Sequence, residues 1–263
     1  MRRQKGLVLT AIVLGLLLAG KSVEADVFMK HKHHTDGMKV MGQAQPPRDS
    51  VKTEWVATEK MRMDDGDTST IVRLDRRVVY MIHHPDKTYN EMPMDSGRMA
   101  DMRKAMGKGF SVKVTRTEET RKIGQWNCRK YLREMSMGKM PVKSEVWATE
   151  ELEFPSELLT TFAALQLGPQ QPGRKDLQML EQEMRKVKGM PVLTVTTSTV
   201  MKGVTAKSSM ELLEMKYEEA PGNLFEIPEG YTKVEGFPGP DGGPMPPPPS
   251  ERGTRPPKRQ SGQ

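Results

Sequence analysis

The chain has 263 residues and a single cysteine, Cys128. One thiol excludes an intramolecular disulfide, so the fold rests on packing and backbone pairing alone. Aromatic residues are scarce, at 5% of the chain, and the mean hydropathy is −0.64. The core must therefore use small and flexible apolar side chains. Recognisable enzyme signatures are missing. There is no G-x-S-x-G, no H-E-x-x-H, no phosphate-binding loop and no dinucleotide glycine pattern. The Asp64, Asp65 and Asp67 cluster lacks calcium-loop spacing and reads as a turn around Gly66. These absences point away from an enzyme and give no cofactor to expect.

Only one long uncharged apolar run is present, residues 7–19 (LVLTAIVLGLLLA). It is shorter than the roughly 20 residues that a membrane span needs. It follows the basic start Met1-Arg2-Arg3-Gln4-Lys5 and leads to Val23-Glu24-Ala25 before Asp26. That order is a Sec signal peptide, residues 1–25, with its cleavage site. The expected location is periplasmic or extracellular. With no Cys after the run, lipidation is not expected, and no integral span remains after cleavage. The net charge of +7 is carried largely by the leader and the tail, so no nucleic-acid partner is expected. Residues 237–263 are Pro- and Gly-rich with a basic end and read as a disordered tail. Cys128 is expected to be buried.

Residues 26–236 read as one domain, mostly strand. Short alternating segments recur about every ten residues, separated by Asp-, Gly- and Pro-bearing turns. They include Val27–Thr35, Thr53–Met63, Ser69–Leu74, Val78–His83, Thr88–Met92, Trp126–Met135, Val142–Thr149, Val192–Lys202 and Ala206–Tyr217. Trp55, Ala57, Glu59, Met61 and Met63 fall on one face of the second. Helices are expected at Gly97–Met106, Ser156–Leu165 and Pro172–Lys188. In the last, Leu177, Leu180, Met184 and Val187 share a face. The segment Glu54-Trp55-Val56-Ala57-Thr58-Glu59 echoes Glu145-Val146-Trp147-Ala148-Thr149-Glu150, as two related halves would. The expected fold class is α+β: a strongly curved antiparallel sheet, a half-barrel, with about three helices over its concave face.

Several spaced motifs carry a family resemblance. They are His33-His34-Thr35-Asp36 with Val40-Met41-Gly42-Gln43; Val79-Tyr80-Met81-Ile82 with Lys87-Thr88-Tyr89-Asn90-Glu91-Met92-Pro93; Ile123-Gly124-Gln125-Trp126-Asn127-Cys128-Arg129-Lys130-Tyr131; Glu145-Val146-Trp147; and Leu224-Phe225-Glu226-Ile227-Pro228-Glu229-Gly230-Tyr231. Together they resemble the exported bacterial family known as domain of unknown function forty-four-twelve, from about Val27 to Val234. Trp126 departs from the smaller or tyrosine-like residue expected there. The resemblance implies a shape like the LolA and LolB lipoprotein carriers and an envelope location. It implies no activity.

Two residue sets remain as candidate sites. Methionine is abundant, at 22 residues, and flexible thioethers make an adaptable apolar surface. Met61, Met63, Met81, Met99, Met102, Met106, Leu177, Leu180 and Met184 are the candidate lining of a cavity for a lipid or other apolar small molecule. The alternative is a metal site. His31 and His33 share one face of an extended strand, and His83 with the nearby methionines adds imidazole and thioether donors suited to copper or zinc. A third alternative is a structural or stress-sensing envelope protein. No feature identifies a protein partner.

Overall fold

The computed structural model describes residues 26–40, 43–95, 111–137, 140–155, 158, 179, 182–201 and 204–235. Fourteen strands follow in chain order. They are β1 (Val27–Thr35), β2 (Met38–Val40), β3 (Gln43–Gln45), β4 (Arg48–Ala57), β5 (Lys60–Asp65), β6 (Thr68–Arg73), β7 (Val78–His83) and β8 (Thr88–Pro93). After them come β9 (Ser111–Ile123), β10 (Trp126–Met137), β11 (Met140–Thr149), β12 (Met190–Met201), β13 (Val204–Tyr217) and β14 (Thr232–Lys233). Twelve of these form one open sheet in the order β14-β8-β7-β6-β5-β4-β1-β13-β12-β11-β10-β9. β2 and β3 pair separately as a small hairpin.

The sheet is two meanders joined by the first strand. β4 to β8 run hairpin by hairpin on one side, and β9 to β13 follow in sequential order on the other, with residues 150–189 intervening between β11 and β12. β1 lies between them, antiparallel to both β4 and β13. Hairpins need little more than local turn chemistry. The Gly66 turn has φ 59° and the Gly124 turn φ 56°, backbone that glycine adopts without strain. Other turns place Glu59, Arg77 and Lys87 in the same left-handed region. Gly189 enters β12 with φ 79°, and a Cβ there would meet the Thr149 carbonyl oxygen at 1.9 Å, so no other residue fits. Register shifts interrupt the β1–β13, β9–β10, β11–β12 and β12–β13 pairs. Such bulges bend and twist the long strands of a sheet this wide.

The fold class is corrected by this architecture. Among the described residues only Leu158, Met179 and residues 182–184 are helical, so the chain is an all-β sheet, not α+β with three covering helices. Gly97–Met106 lies outside the described residues, as do nearly all of Ser156–Leu165, the signal peptide and the Pro-rich tail. Of Pro172–Lys188, the described residues are 179 and 182–188; Met179 and residues 182–184 are helical, followed by a turn at Arg185 and Lys186. Its apolar spacing is served by Val187, which packs on Val114, Tyr131, Val146 and Ala148.

A non-helical strap covers one face of the sheet. Residues 218–234 leave β13 and cross the sheet face that carries Trp55, Ile71, Tyr80, Ile82 and Tyr89, burying Ala220 and Phe225 against them. The strap ends as β14, parallel to β8. Its cover explains why the β4–β8 meander is apolar on both faces. The opposite face carries Val27, Met29, Val56, Met61 and Val72, part of a larger core that includes Cys128, Trp147, Met190 and Leu212. Cys128 is 2% exposed and free, and burial raises its thiol pKa.

Two further expectations are revised. The Thr53–Met63 strand is broken by a turn at Thr58 and Glu59, making the β4–β5 hairpin. Trp55 and Met61 thus stand on opposite faces: Trp55 packs with the strap cluster and Met61 with the main core. The turn has no Gly, Pro, Asn or Asp to announce it. The internal echo has no common environment either. Glu54 is buried between Met29 and Met63 in the register, whereas Glu145 pairs with Leu132 and Val195 and binds Lys130 at 3.2 Å.

Candidate functional site

Cross-strand partners in a sheet share a face, so the register assembles the site directly. On the face of Met29, one row runs Met81, Thr70, Met63, Glu54, Met29 and Met215. The next runs His83, Thr68, Asp65, Lys52, His31 and Leu212. A third runs Ser50, His33, Met210, Thr194, Val146 and Tyr131. A fourth, beyond it, joins Ser208, Thr196, Ser144 and Arg133. The face is thus a field of thioethers and small hydroxyls with a charged patch near its centre.

The candidate residues separate cleanly on this map. Met61, Met63, Met81, His31, His33 and His83 all share this face. Met61 is 5% exposed and belongs to the core, while Met63 and Met81 are half-buried. Met184 lies in the helical turn, its Sδ 4.0 Å from Arg133 Nη1. Met99, Met102, Met106, Leu177 and Leu180 lie outside the described residues. His31 and His33 are brought together, but His83 is four strands away, roughly 19 Å at ordinary strand spacing. Its Nδ1 is 2.8 Å from Asp86. Among the described residues, no group of three or more His, Cys, Asp or Glu is placed to hold a metal ion.

Three groups on this face were missed by sequence reasoning. Lys52 and Asp65 form an ion pair at 2.7 Å beside His31 and His33. Glu54 has no ion-pair partner among the described residues, and burial pushes its carboxyl up to about 7. Burial, reinforced by His33, lowers His31 to about 4. Burial and then the Lys52 charge lower His33. Arg133 is held below its ordinary value by burial. A strict alternation from Val56 would have flagged Glu54, but the concealed turn at Thr58 removed the phase reference.

These shifts give opposed pH dependences. Folded Glu54 keeps its proton to about 7, whereas an ordinary glutamate loses it at 4.5. The folded state then holds the extra proton, so stability falls as pH rises across that window, by about 3 kcal/mol. His31 works the other way. Unfolded, it takes a proton below 6.5, and folded only near 4, so stability falls by about 3 kcal/mol as pH drops across that interval. In urea titrations, Glu54→Gln is expected to gain on the wild type from pH 4.5 to 7. His31→Gln is expected to gain as pH falls from 6.5 to 4. A difference that ignores pH in either variant would remove its buried ionisation.

The other face carries a hydrogen-bonded chain that superficially resembles a nucleophilic triad. Ser69 Oγ donates to Asp64, His84 Nε2 is 2.6 Å from Ser69 Oγ, and His84 Nδ1 is 2.7 Å from the Tyr231 hydroxyl. The order is wrong for catalysis, because the carboxylate meets the serine instead of orienting the imidazole. Ser69 is also 1% exposed. The chain is a clasp for the strap. Arg62 donates to the Leu224 carbonyl at 3.0 Å, and Arg73 to the Phe225 carbonyl at 3.2 Å and to Glu226 at 2.5 Å.

A family model described as Domain of unknown function (DUF4412) matches residues 36–231. The chain belongs to this family. The motifs quoted for DUF4412 sit where the fold is tied together: Leu224 to Tyr231 in the strap, Tyr89 beneath it, Asn90 donating to the Val234 carbonyl, and Cys128 in the main core. No curated protein matches the sequence. Among solved structures, PNGF-II in its P21 form is similar with a TM-score of 0.36 and 13% identity, over 80% of this chain and 31% of that one. Its C2 form gives 0.33 and 13%, over 78% and 31%. This DUF4412 chain thus spans about a third of PNGF-II. A LolA superfamily protein, NE2245 from Nitrosomonas europaea, gives 0.34 and 8% identity, over 78% of this chain and 91% of that one. Among the described residues no helix is long and apolar enough to cross a membrane.

Proposed function

We propose that this DUF4412 protein is a non-enzymatic binding protein of the cell envelope, holding an acyl chain or similar apolar ligand against the methionine-bearing face of its sheet. The observation that carries the reading is the distribution of half-buried thioethers. Met63, Met81, Met210 and Met215 are neither sealed in the core nor fully exposed. They stand on one face across β7 to β13, interleaved with Thr70, Thr194 and Thr196. Unbranched thioethers adapt to chains of differing shape, and Met63 and Met215, packed against the core, join that surface to the interior. The basic leader with its apolar run supports export.

The test is a melting experiment on the delipidated full chain with palmitate. At about a hundredfold excess over Kd, linkage gives about 2.7 kcal/mol, which for a chain of this size is a rise of roughly 5–10 °C. Met63→Gln with Met81→Gln is expected to remove most of that rise. No rise with palmitate or with phospholipid, together with an empty protein in native mass spectrometry, would sink the proposal.

A further inference from the structure

We infer that Arg133 is an oxyanion-receiving site, so that the ligand on this face carries a carboxylate or phosphate head. The inference deepens the apolar-ligand reading, on which it rests for the tail alone. Arg133 lies on β10 between Ser144 of β11 and Val114 of β9. Its Nε is out of contact with solvent and has no hydrogen-bond partner among the described residues. Nη2 makes a long 3.4 Å bond to Ser144 Oγ, and among the described residues Nη1 faces the Met184 sulfur at 4.0 Å. No carboxylate among the described residues pairs with it.

The other partly buried arginines are treated differently. Arg62 binds Asp64, Arg73 binds Asp75 and Glu226, and Arg129 binds Glu118. Glu183, one residue from Met184, is already engaged by the Val114 N–H at 2.7 Å and by Lys186 at 2.5 Å. A desolvated cation without an anion is costly, and proteins keep such groups where a partner arrives. The planar guanidinium presents a fork that matches a carboxylate or phosphate. Beside it, the Ser144 and Thr196 hydroxyls are 3.0 Å apart and add donors. The same register row continues to Ser208 on β13, next to the row of Met210 and His33. An anionic head at Arg133 therefore directs an apolar tail along the thioether face.

Calorimetry on the full chain with palmitate, hexadecanol and inorganic phosphate separates head from tail. Palmitate is expected to bind at least about tenfold more tightly than hexadecanol, and Arg133→Met to erase that difference while leaving hexadecanol binding unchanged. Arg133→Lys keeps charge without the fork and should retain part of it. Should Arg133→Met not fold, Ser144→Ala with Thr196→Val is expected to weaken palmitate and not hexadecanol. Equal binding of palmitate and hexadecanol to the wild type overturns the Arg133 site and leaves the apolar reading standing. Phosphate binding that depends on Arg133, with neither long-chain probe bound, supports the site and removes the apolar reading. Retained palmitate preference in Arg133→Met overturns the inference, and silence from all three probes overturns both.

Discussion

Deleting residues 218–263 is expected to leave a chain that does not fold, while deleting residues 236–263 leaves its melting temperature unchanged. The shorter deletion touches none of the contacts described for the strap. The longer one strips cover from Ile71 and Ile82, which are 0% and 2% exposed, and from Trp55, Tyr80 and Tyr89. It also leaves the Arg73 side chain, 4% exposed, without Glu226 or the Phe225 carbonyl. Each exposed aliphatic or aromatic side chain costs about 1.5–3 kcal/mol, and a domain has about 5–15 kcal/mol in total. Phe225→Ala alone is expected to cost about 3–5 kcal/mol, read as a fall in the urea midpoint. Circular dichroism and trypsin resistance of the two truncations make the comparison. Equal stability of both would show that the strap is ornament.

Met29→Asp is expected to be as damaging, and for a different reason. Met29 is 0% exposed on β1, the strand that joins the two meanders, and its register partners are Glu54 and Met215. Aspartate there buries a second acid beside Glu54 with no cation paired to it. An uncompensated buried charge costs about 3–5 kcal/mol, added to the lost packing of about 2–5 kcal/mol. Lys32→Gln is the control. Lys32 points to the other face, exposed, with a 3.9 Å contact to Asp49 as its ion pair among the described residues, and such surface changes stay within about 0.5 kcal/mol. A folded Met29→Asp protein with an unchanged midpoint would mean that β1 does not hold the halves together. The same topology bears on folding speed. β1 pairs with residues near position 217, and contacts so distant in sequence slow folding.

Stability and binding use the same face differently. Met29, Met61 and Val72 are buried in the core on it, and Met63, Met81 and Met210 are half-buried. Glu54 and Arg133 are the two groups whose burial lacks an opposite charge among the described residues. The acid answers by holding its proton. The guanidinium cannot lose its proton at any ordinary pH, which is why it calls for an anion from outside.

What the sequence by itself determined is local. β1 at Val27–Thr35 and β7 at Val78–His83 are legible to the residue, because alternation and flanking turns are written within ten residues of each other. The DUF4412 membership is legible for a similar reason, since the motifs that carry it are short and contiguous in the chain. Only the tertiary structure decided the rest. The insertion of β1 between β4 and β13 is a pairing between distant segments, and no periodicity encodes a partner. The strap's cover of the second face, by Ala220 and Phe225 in irregular backbone, likewise has no periodicity to announce it. Glu54 and Arg133 acquire their meaning from what lies across the sheet, and a side chain's environment on a two-faced sheet is settled only when each face is covered.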